Sequence, residues 1–250
     1  MTDIKLYFNG CSFTYGDGLD DPTNNSWPSL IAKDYNATYL NHAVSGGSND
    51  RIIKGVITNI KNYDMFYIGW SEYARFVKYN PVDNFEILFT PELSLDPSLH
   101  YSDDLKINYK KYKDFGKIYY KHWYNELYQF KEFLHQVMLL QCLSEVNNKD
   151  YTMINMLSHV EPWVSRRDIF IKNVKDLICF DAMSDNQIHN ERKEINTLID
   201  QIDLSKFVFW DYNVRSFIKD KNLTISATDE HPNESGHKAI AKKVLLHDSN

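Results

Sequence analysis

The 250-residue chain has only three cysteines, Cys11, Cys142 and Cys179. An odd number at such wide spacing excludes a disulfide framework and a zinc site, and reads as free thiols. Glycine (9) and proline (7) are also few, which excludes a long linker or a low-complexity tract. No apolar run approaches the length of a membrane span. The opening residues, Met1-Thr2-Asp3-Ile4-Lys5, carry charges where a secretory signal would carry its apolar core. The expectation is a cytoplasmic protein without membrane contact, which leaves room for association with a larger particle. Basic residues are outnumbered, 28 against 34 acidic, for a net charge of -6. A chain without a basic excess lacks the face that neutralises phosphates, so no nucleic-acid partner is expected.

What the chain has in quantity is aromatic residues, with 17 Tyr, 14 Phe and 5 Trp. Apolar residues make up 43%, ordinary for a globular fold. No internal repeat or composition break marks a second domain, so residues 1–250 read as one.

Short apolar runs ending in polar loops recur along the chain. Ile4 to Phe8 reads as a first strand, Ala37 to Val44 as a second and Tyr63 to Trp70 as a third. Asp150 to Leu157 and Phe207 to Asp211 supply a fourth and a fifth. Between them lie helical patterns. One starts at Ser26-Trp27-Pro28, with a capping serine and a first-turn proline. A second carries Ile52, Ile53, Val56, Ile57 and Ile60 at three- and four-residue spacing. Asn108 to Asn147 reads as helical, with Tyr119, Trp123, Leu127, Phe130, Leu134 and Met138 in one stripe and Tyr112 beside it. Ala239, Ile240, Val244 and Leu245 mark a last helix. Residues 78 to 105 are irregular, broken by Pro81, Pro91 and Pro97, so 78–147 reads as an insertion of loop plus long aromatic helix. Residues 160 to 200 are mixed, with Trp163 and the pair Arg166-Arg167 in a loop or first turn. Strand and helix alternating in this way predict a wound α/β sheet.

Two stretches carry chemistry. Asn9-Gly10-Cys11-Ser12-Phe13-Thr14-Tyr15-Gly16 follows the first strand. A serine there is held outside the sheet, with backbone N–H groups after it to face an anion. Cys11 is a rival nucleophile but reads as a small buried filler. The partner stretch is Thr228-Asp229-Glu230-His231-Pro232, just before the last helix. Proline holds His231 extended, on a loop. Ser12 and His231 can meet only if the sheet brings both loops to one edge, as a wound sheet does. A second glycine turn, Ser45-Gly46-Gly47-Ser48, offers the Gly46 N–H to a ligand oxygen. Asp17, Asp20 and Asp21 lack the alternation of a calcium loop, and Asp229, His231 and His237 lack a recognised metal spacing.

Taken together, these blocks resemble the SGNH (GDSL-type) hydrolase family. Gly10-Cys11-Ser12-Phe13-Thr14 looks like its first block and Asn41-His42-Ala43-Val44-Ser45-Gly46 like its second. Ile68-Gly69-Trp70-Ser71-Glu72 sits at the third, and Asp229-Glu230-His231-Pro232 looks like the last. The resemblance implies a three-layer α/β/α sandwich with a five-stranded parallel sheet. It implies Ser12 as nucleophile, His231 as base and Asp229 as its orienter, with the oxyanion held by Ser12, Gly46 and Ser71. The activity implied is that of a serine esterase or deacetylase on a small acyl ester, an acetylated carbohydrate for instance, without metal or cofactor. Trp70, Tyr73 and Arg75 follow the third block as candidates for the substrate cleft. Two departures stand out. Ser71 occupies the place of the family's oxyanion-hole Asn, and one residue, not two, separates Asp229 from His231. Thr228, Glu230 or a backbone carbonyl therefore compete with Asp229 as orienter. They also leave a second expectation: a catalytically weakened binding or structural module of a larger assembly.

Overall fold

The computed structural model describes residues 4–80, 85–89, 114–158, 160 and 184–249. Five parallel strands form its central sheet, in the order β2-β1-β3-β6-β7. In sequence these are β1 (Lys5–Asn9), β2 (Thr38–Asn41), β3 (Met65–Trp70), β6 (Asp150–Asn155) and β7 (Phe207–Val208). Between β3 and β6 a separate antiparallel hairpin pairs β4 (Phe76–Asn80) with β5 (Phe85–Phe89). Leu6 is the hub of the register, level with Tyr39 on one side and Met65 on the other.

Helices cover both faces, because the inner strands alternate between two cores. Tyr7, Phe66, Ile68 and Met153 face one side, where α4 (Asn49–Asn59), α5 (Glu126–Val146) and α6 (Asp185–Ile199) lie. Leu6, Phe8, Tyr67 and Ile154 face the other. There they meet α3 (Trp27–Asp34), α7 (Val214–Asp220) and α8 (Glu234–Asp248). Two one-turn helices, α1 (Ser12–Tyr15) and α2 (Pro22–Asn25), complete the described set of α-helices, with a further helical stretch at 114–122. The result is the expected three-layer sandwich. Strands buried on both faces need near-continuous apolar sequence, which β1 and β3 have. Each fully buried large side chain contributes about 1.5–3 kcal/mol; Trp27, Phe8 and Phe130 are among them.

Helix boundaries follow local chemistry. Ser48 caps α4 by accepting from Arg51 N, and Ser184 with Gln187 forms a capping box at α6. The end of α8 is tied to the sheet: Asp248 accepts from Tyr67 Oη (2.7 Å), Tyr35 Oη (3.2 Å) and Thr152 Oγ1 (2.9 Å). Burial, then the carboxylate beside it, pushes the Tyr67 phenol far above its usual range.

The structure differs from expectation in four places. Ile57 is 49% exposed while Ile52, Ile53 and Val56 are buried, so the stripe of α4 is narrower than its isoleucines suggest. The long helical pattern breaks after 122. Trp123 and Tyr124 both donate to Tyr119 O, α5 restarts at a cap on Asn125, and Trp123 lies outside the stripe, 75% exposed. The insertion read over 78–147 lies partly outside the described residues. Leu127, Phe130, Leu134 and Val137 of α5 lie in the main core with α4, where α5 serves as a crossover helix between β3 and β6. Part of the stretch that reads as irregular is the β4–β5 hairpin. Tyr112, Trp163, Arg166, Arg167 and Cys179 lie outside the described residues.

Candidate active site

Parallel strands deliver their following loops to one edge of the sheet. At the end of β1 the chain passes through Gly10 and Cys11 directly into α1, of which Ser12 is the first residue. Gly16 ends that single turn in the left-handed region, φ 99°. Ser12 is 5% exposed, and its backbone N–H donates to no group among the described residues, as befits the first N–H of a helix. The loop after β2 lies against this turn. Val44 N donates to Gly10 O (3.4 Å) and Gly47 N to Val44 O (3.0 Å), closing a turn with Gly46 at φ 72°. A side chain at Gly47 would meet Gly10 O at 2.6 Å, so the two loops touch backbone to backbone. The Gly46 N–H, like that of Ser12, has no acceptor among the described residues.

Ser71 follows β3 directly and is fully buried. Its main chain is held firmly: Asn49 Oδ1 accepts from Ser71 N (2.8 Å), Asn49 Nδ2 donates to Ser71 O (3.2 Å), and Ser158 Oγ donates to the same carbonyl (2.8 Å). The Ser71 hydroxyl, by contrast, is buried without a partner among the described residues.

His231 is presented by a loop knotted with local hydrogen bonds. Its carbonyl accepts from Ile225 N (2.9 Å), and Ser226 Oγ accepts from Asp229 N (2.9 Å). Asp229 Oδ1 stands 2.6 Å from His231 Nδ1 and also accepts from His231 N (3.1 Å). With Nδ1–H donating to the carboxylate, Nε2 is the ring nitrogen left to act as a base. Thr228 turns away, its hydroxyl 3.3 Å from Ser226 Oγ. Glu230 turns away as well, bound by Arg215 and by Lys219 Nζ at 2.6 Å. Those two cations hold its carboxyl below the usual range. Thus a one-residue spacing still allows the Asp–His contact, made by a carboxylate that also caps the imidazole's own backbone.

The His231 ring packs on Phe13, the residue after Ser12, with ring centroids 5.2 Å apart and planes tilted by 47°. No direct hydrogen bond joins the Ser12 hydroxyl to the imidazole among the described residues; apo geometries of this kind are commonly open. His237, one turn into α8, is fully buried and accepts from Trp27 N at Nδ1 (3.1 Å). Burial, with His231 nearby, pushes it down to about 4, so it stays neutral. No cluster of three or more His, Cys, Asp or Glu suited to a metal occurs among the described residues, and Cys11 is buried.

The other candidates fall elsewhere. Trp70 is a core residue, fully buried with its ring edge-on to Phe133. Tyr73 is buried against Phe130, its hydroxyl donating to Glu126 (3.0 Å). Arg75 lines a cavity beside α4 and α5. Sequence reasoning missed Asn49 and Ser158. The available signal for Asn49 was an amide side chain directly after the glycine turn, at the start of a helix.

The fold defines an α/β protein in which the loops after β1 and β2 carry unused backbone donors at Ser12 and Gly46, and a later loop pairs His231 with Asp229. The chain belongs to the family of unknown function DUF6071, matched over residues 17–166, a stretch that holds Gly46 and Ser71 and leaves out Ser12, Asp229 and His231. No curated protein matches it. Among solved structures it is similar to a protein assigned to the G-D-S-L lipolytic family from Desulfitobacterium hafniense DCB-2, at 11% identity and TM-score 0.48, covering 98% of this chain and 99% of that one. It is also similar to the psychrotrophic esterase EstA from Pseudoalteromonas sp., at 9% identity and TM-score 0.48, covering 99% and 97%. A third is a member of the lipolytic G-D-S-L family from Veillonella parvula DSM 2008, at 13% identity and TM-score 0.43, covering 97% of each. Among the described residues no helix is long and apolar enough to cross a membrane.

Proposed function

We propose that this chain is a serine ester hydrolase acting on a small acyl ester. The observation that carries the reading is the His231 imidazole, bound by Asp229 at 2.6 Å and packed on the side chain next to Ser12. In this mechanism His231 Nε2 takes the Ser12 hydroxyl proton as the oxygen attacks the ester carbonyl. Asp229 fixes the tautomer and stabilises the imidazolium. The tetrahedral oxyanion is met by the N–H groups of Ser12 and Gly46 and by the Ser71 hydroxyl, three donors without other acceptors among the described residues. The imidazolium then protonates the leaving alcohol, and the acyl-Ser12 ester is hydrolysed by a water that His231 deprotonates. The reaction uses no metal or cofactor. An acetylated carbohydrate is the first substrate to test, in a cytoplasmic setting.

A fluorophosphonate probe tests the reading. Wild-type protein labels, Ser12→Ala and His231→Ala do not, and only the wild type turns over p-nitrophenyl acetate. A second reading is favoured by Ser71 standing where an amide would be a longer donor: a binding or structural module of a larger assembly with weakened chemistry. Folded wild-type protein that fails to label at Ser12 supports that module.

A further inference from the structure

A cavity of about 180 Å³ opens between the start of α4, strand β4 and the middle of α5. Its polar wall includes Asn49, Asp50, Arg75, Lys78, Glu132 and Gln136. Arg75 is the unusual member. Its Nε and Nη1 are buried and have no hydrogen-bond partner among the described residues. A guanidinium is permanently charged and offers its donors as a rigid planar fork. Withdrawing such donors from water without an acceptor is costly, more so than for a neutral group. The two carboxylates on the same wall, Asp50 and Glu132, are hydrogen-bonded to other groups than Arg75. Asp50 Oδ1 accepts from Gln136 Nε2 (2.8 Å), and Glu132 Oε1 is 3.4 Å from His135 Nδ1. Lys78 adds a second cation at the rim, its Nζ 6.0 Å from the Phe76 ring. The volume is below that of a drug-sized pocket and suits one small charged group.

We propose that this cavity binds an anionic oxygen group, a carboxylate or a phosphate, held by charge-assisted hydrogen bonds from the buried Arg75 donors with Lys78 as auxiliary charge. Hydrogen bonds from a guanidinium to an anionic oxygen are about twice as strong as neutral ones. Asn49 belongs to two places at once, lining the cavity while its amide holds the main chain of Ser71. An anion seated on Arg75 is therefore one residue removed from the wall of the oxyanion site. Resting on the serine-hydrolase reading, this makes the preferred substrate an ester that also carries an acidic group; the anion site itself does not depend on that reading.

The test uses full-length protein and calorimetric titration with inorganic phosphate, glucuronate and, as the uncharged control, glucose. Saturable millimolar binding of phosphate or glucuronate, but not of glucose, is expected in wild type and equally in Ser12→Ala. Arg75→Gln should weaken it about tenfold or more, the loss expected for a charge-assisted contact. Arg75→Met, similar in length and without the charge, should melt at or above wild type in anion-free buffer and gain nothing on adding the anion. Preference for phosphate identifies a phosphoryl group as the natural occupant, and preference for glucuronate a carboxylate. In the hydrolase, Arg75→Gln should raise KM for an acid-bearing ester by a larger factor than it raises KM for p-nitrophenyl acetate. Absence of saturable binding for both anions, or binding unchanged in both Arg75 variants, overturns the site. Loss of labelling at Ser12 with anion binding intact would overturn the hydrolase and leave the site standing.

Discussion

Replacing Ser71 by alanine separates stability from catalysis with opposite signs. The Ser71 hydroxyl is buried and unpartnered, while the residue's N–H and C=O are held by Asn49 and Ser158. Alanine keeps those main-chain bonds and removes only the oxygen. A buried donor left unsatisfied costs about 1–3 kcal/mol, and deleting a single atom leaves a small void that offsets part of the gain. Ser71→Ala should therefore be as stable as wild type or about 1 kcal/mol more stable, a rise of about 2–4 °C in a chain of this size. If the hydroxyl meets the oxyanion, the same change removes one donor and lowers kcat by about 100-fold, about 2.7 kcal/mol in the barrier. Thermal and urea unfolding give the first quantity and p-nitrophenyl acetate kinetics the second. The reasoning fails if kcat is unchanged, since the hydroxyl then faces no developing charge. It fails equally if stability drops by more than about 1 kcal/mol, since the oxygen then has a partner worth that much.

Burial holds folded His237 down to about 4, well below the ordinary imidazole range, so the unfolded chain binds the extra proton first. Stability should hold above pH 6.5 and fall as pH drops toward 4, by about 3 kcal/mol; a His237→Gln variant with an equally steep decline in that window would exclude this origin. Gly55 sits where a Cβ would stand 2.4 Å from Asn9 Nδ2 and 2.6 Å from Tyr7 Oη. Gly55→Ala should destabilise by about 1–3 kcal/mol through overpacking, and urea unfolding showing instead the gain of about 1 kcal/mol expected from helix propensity would contradict the close approach. Glu230→Gln releases the His231 loop from Arg215 and Lys219; kcat should fall several-fold with KM little changed, and a rise in KM alone would mean the pairing shapes binding instead.

Much of this architecture is legible in the chain because the patterns are local. Ile4 to Phe8 and Tyr63 to Trp70 read as strands from apolar continuity alone, and the spacing of Ile52, Ile53 and Val56 announces α4. The hairpin of Phe76–Asn80 and Phe85–Phe89 is not legible: its strands follow immediately on the third block and read as loop, since their partner is each other and not the sheet. The stripe of α5 declares a helix without declaring what it covers, which is why 126–146 reads as part of an insertion when it packs beside α4. At the candidate site, Ser12, Asp229 and His231 are visible as residue types in telling surroundings. Asn49 is not, because its work is done on Ser71, 22 positions away. Trp70 illustrates the reverse error: adjacency to a chemical block says nothing about which side of a pleated strand a ring occupies.

The ties that fasten α8 span most of the chain: Trp27 to His237 and Tyr35 to Asp248 are separated by 210 and 213 positions. Contacts so remote carry the closure entropy of a very large loop, and the expectation is that they form late. Until α8 docks, Phe13 lacks the His231 ring that packs on it, and on the proposed function Ser12 lacks its base. Recovery of turnover after dilution from denaturant should thus trail recovery of sheet and helix signals, making the reaction a clock for the final docking step.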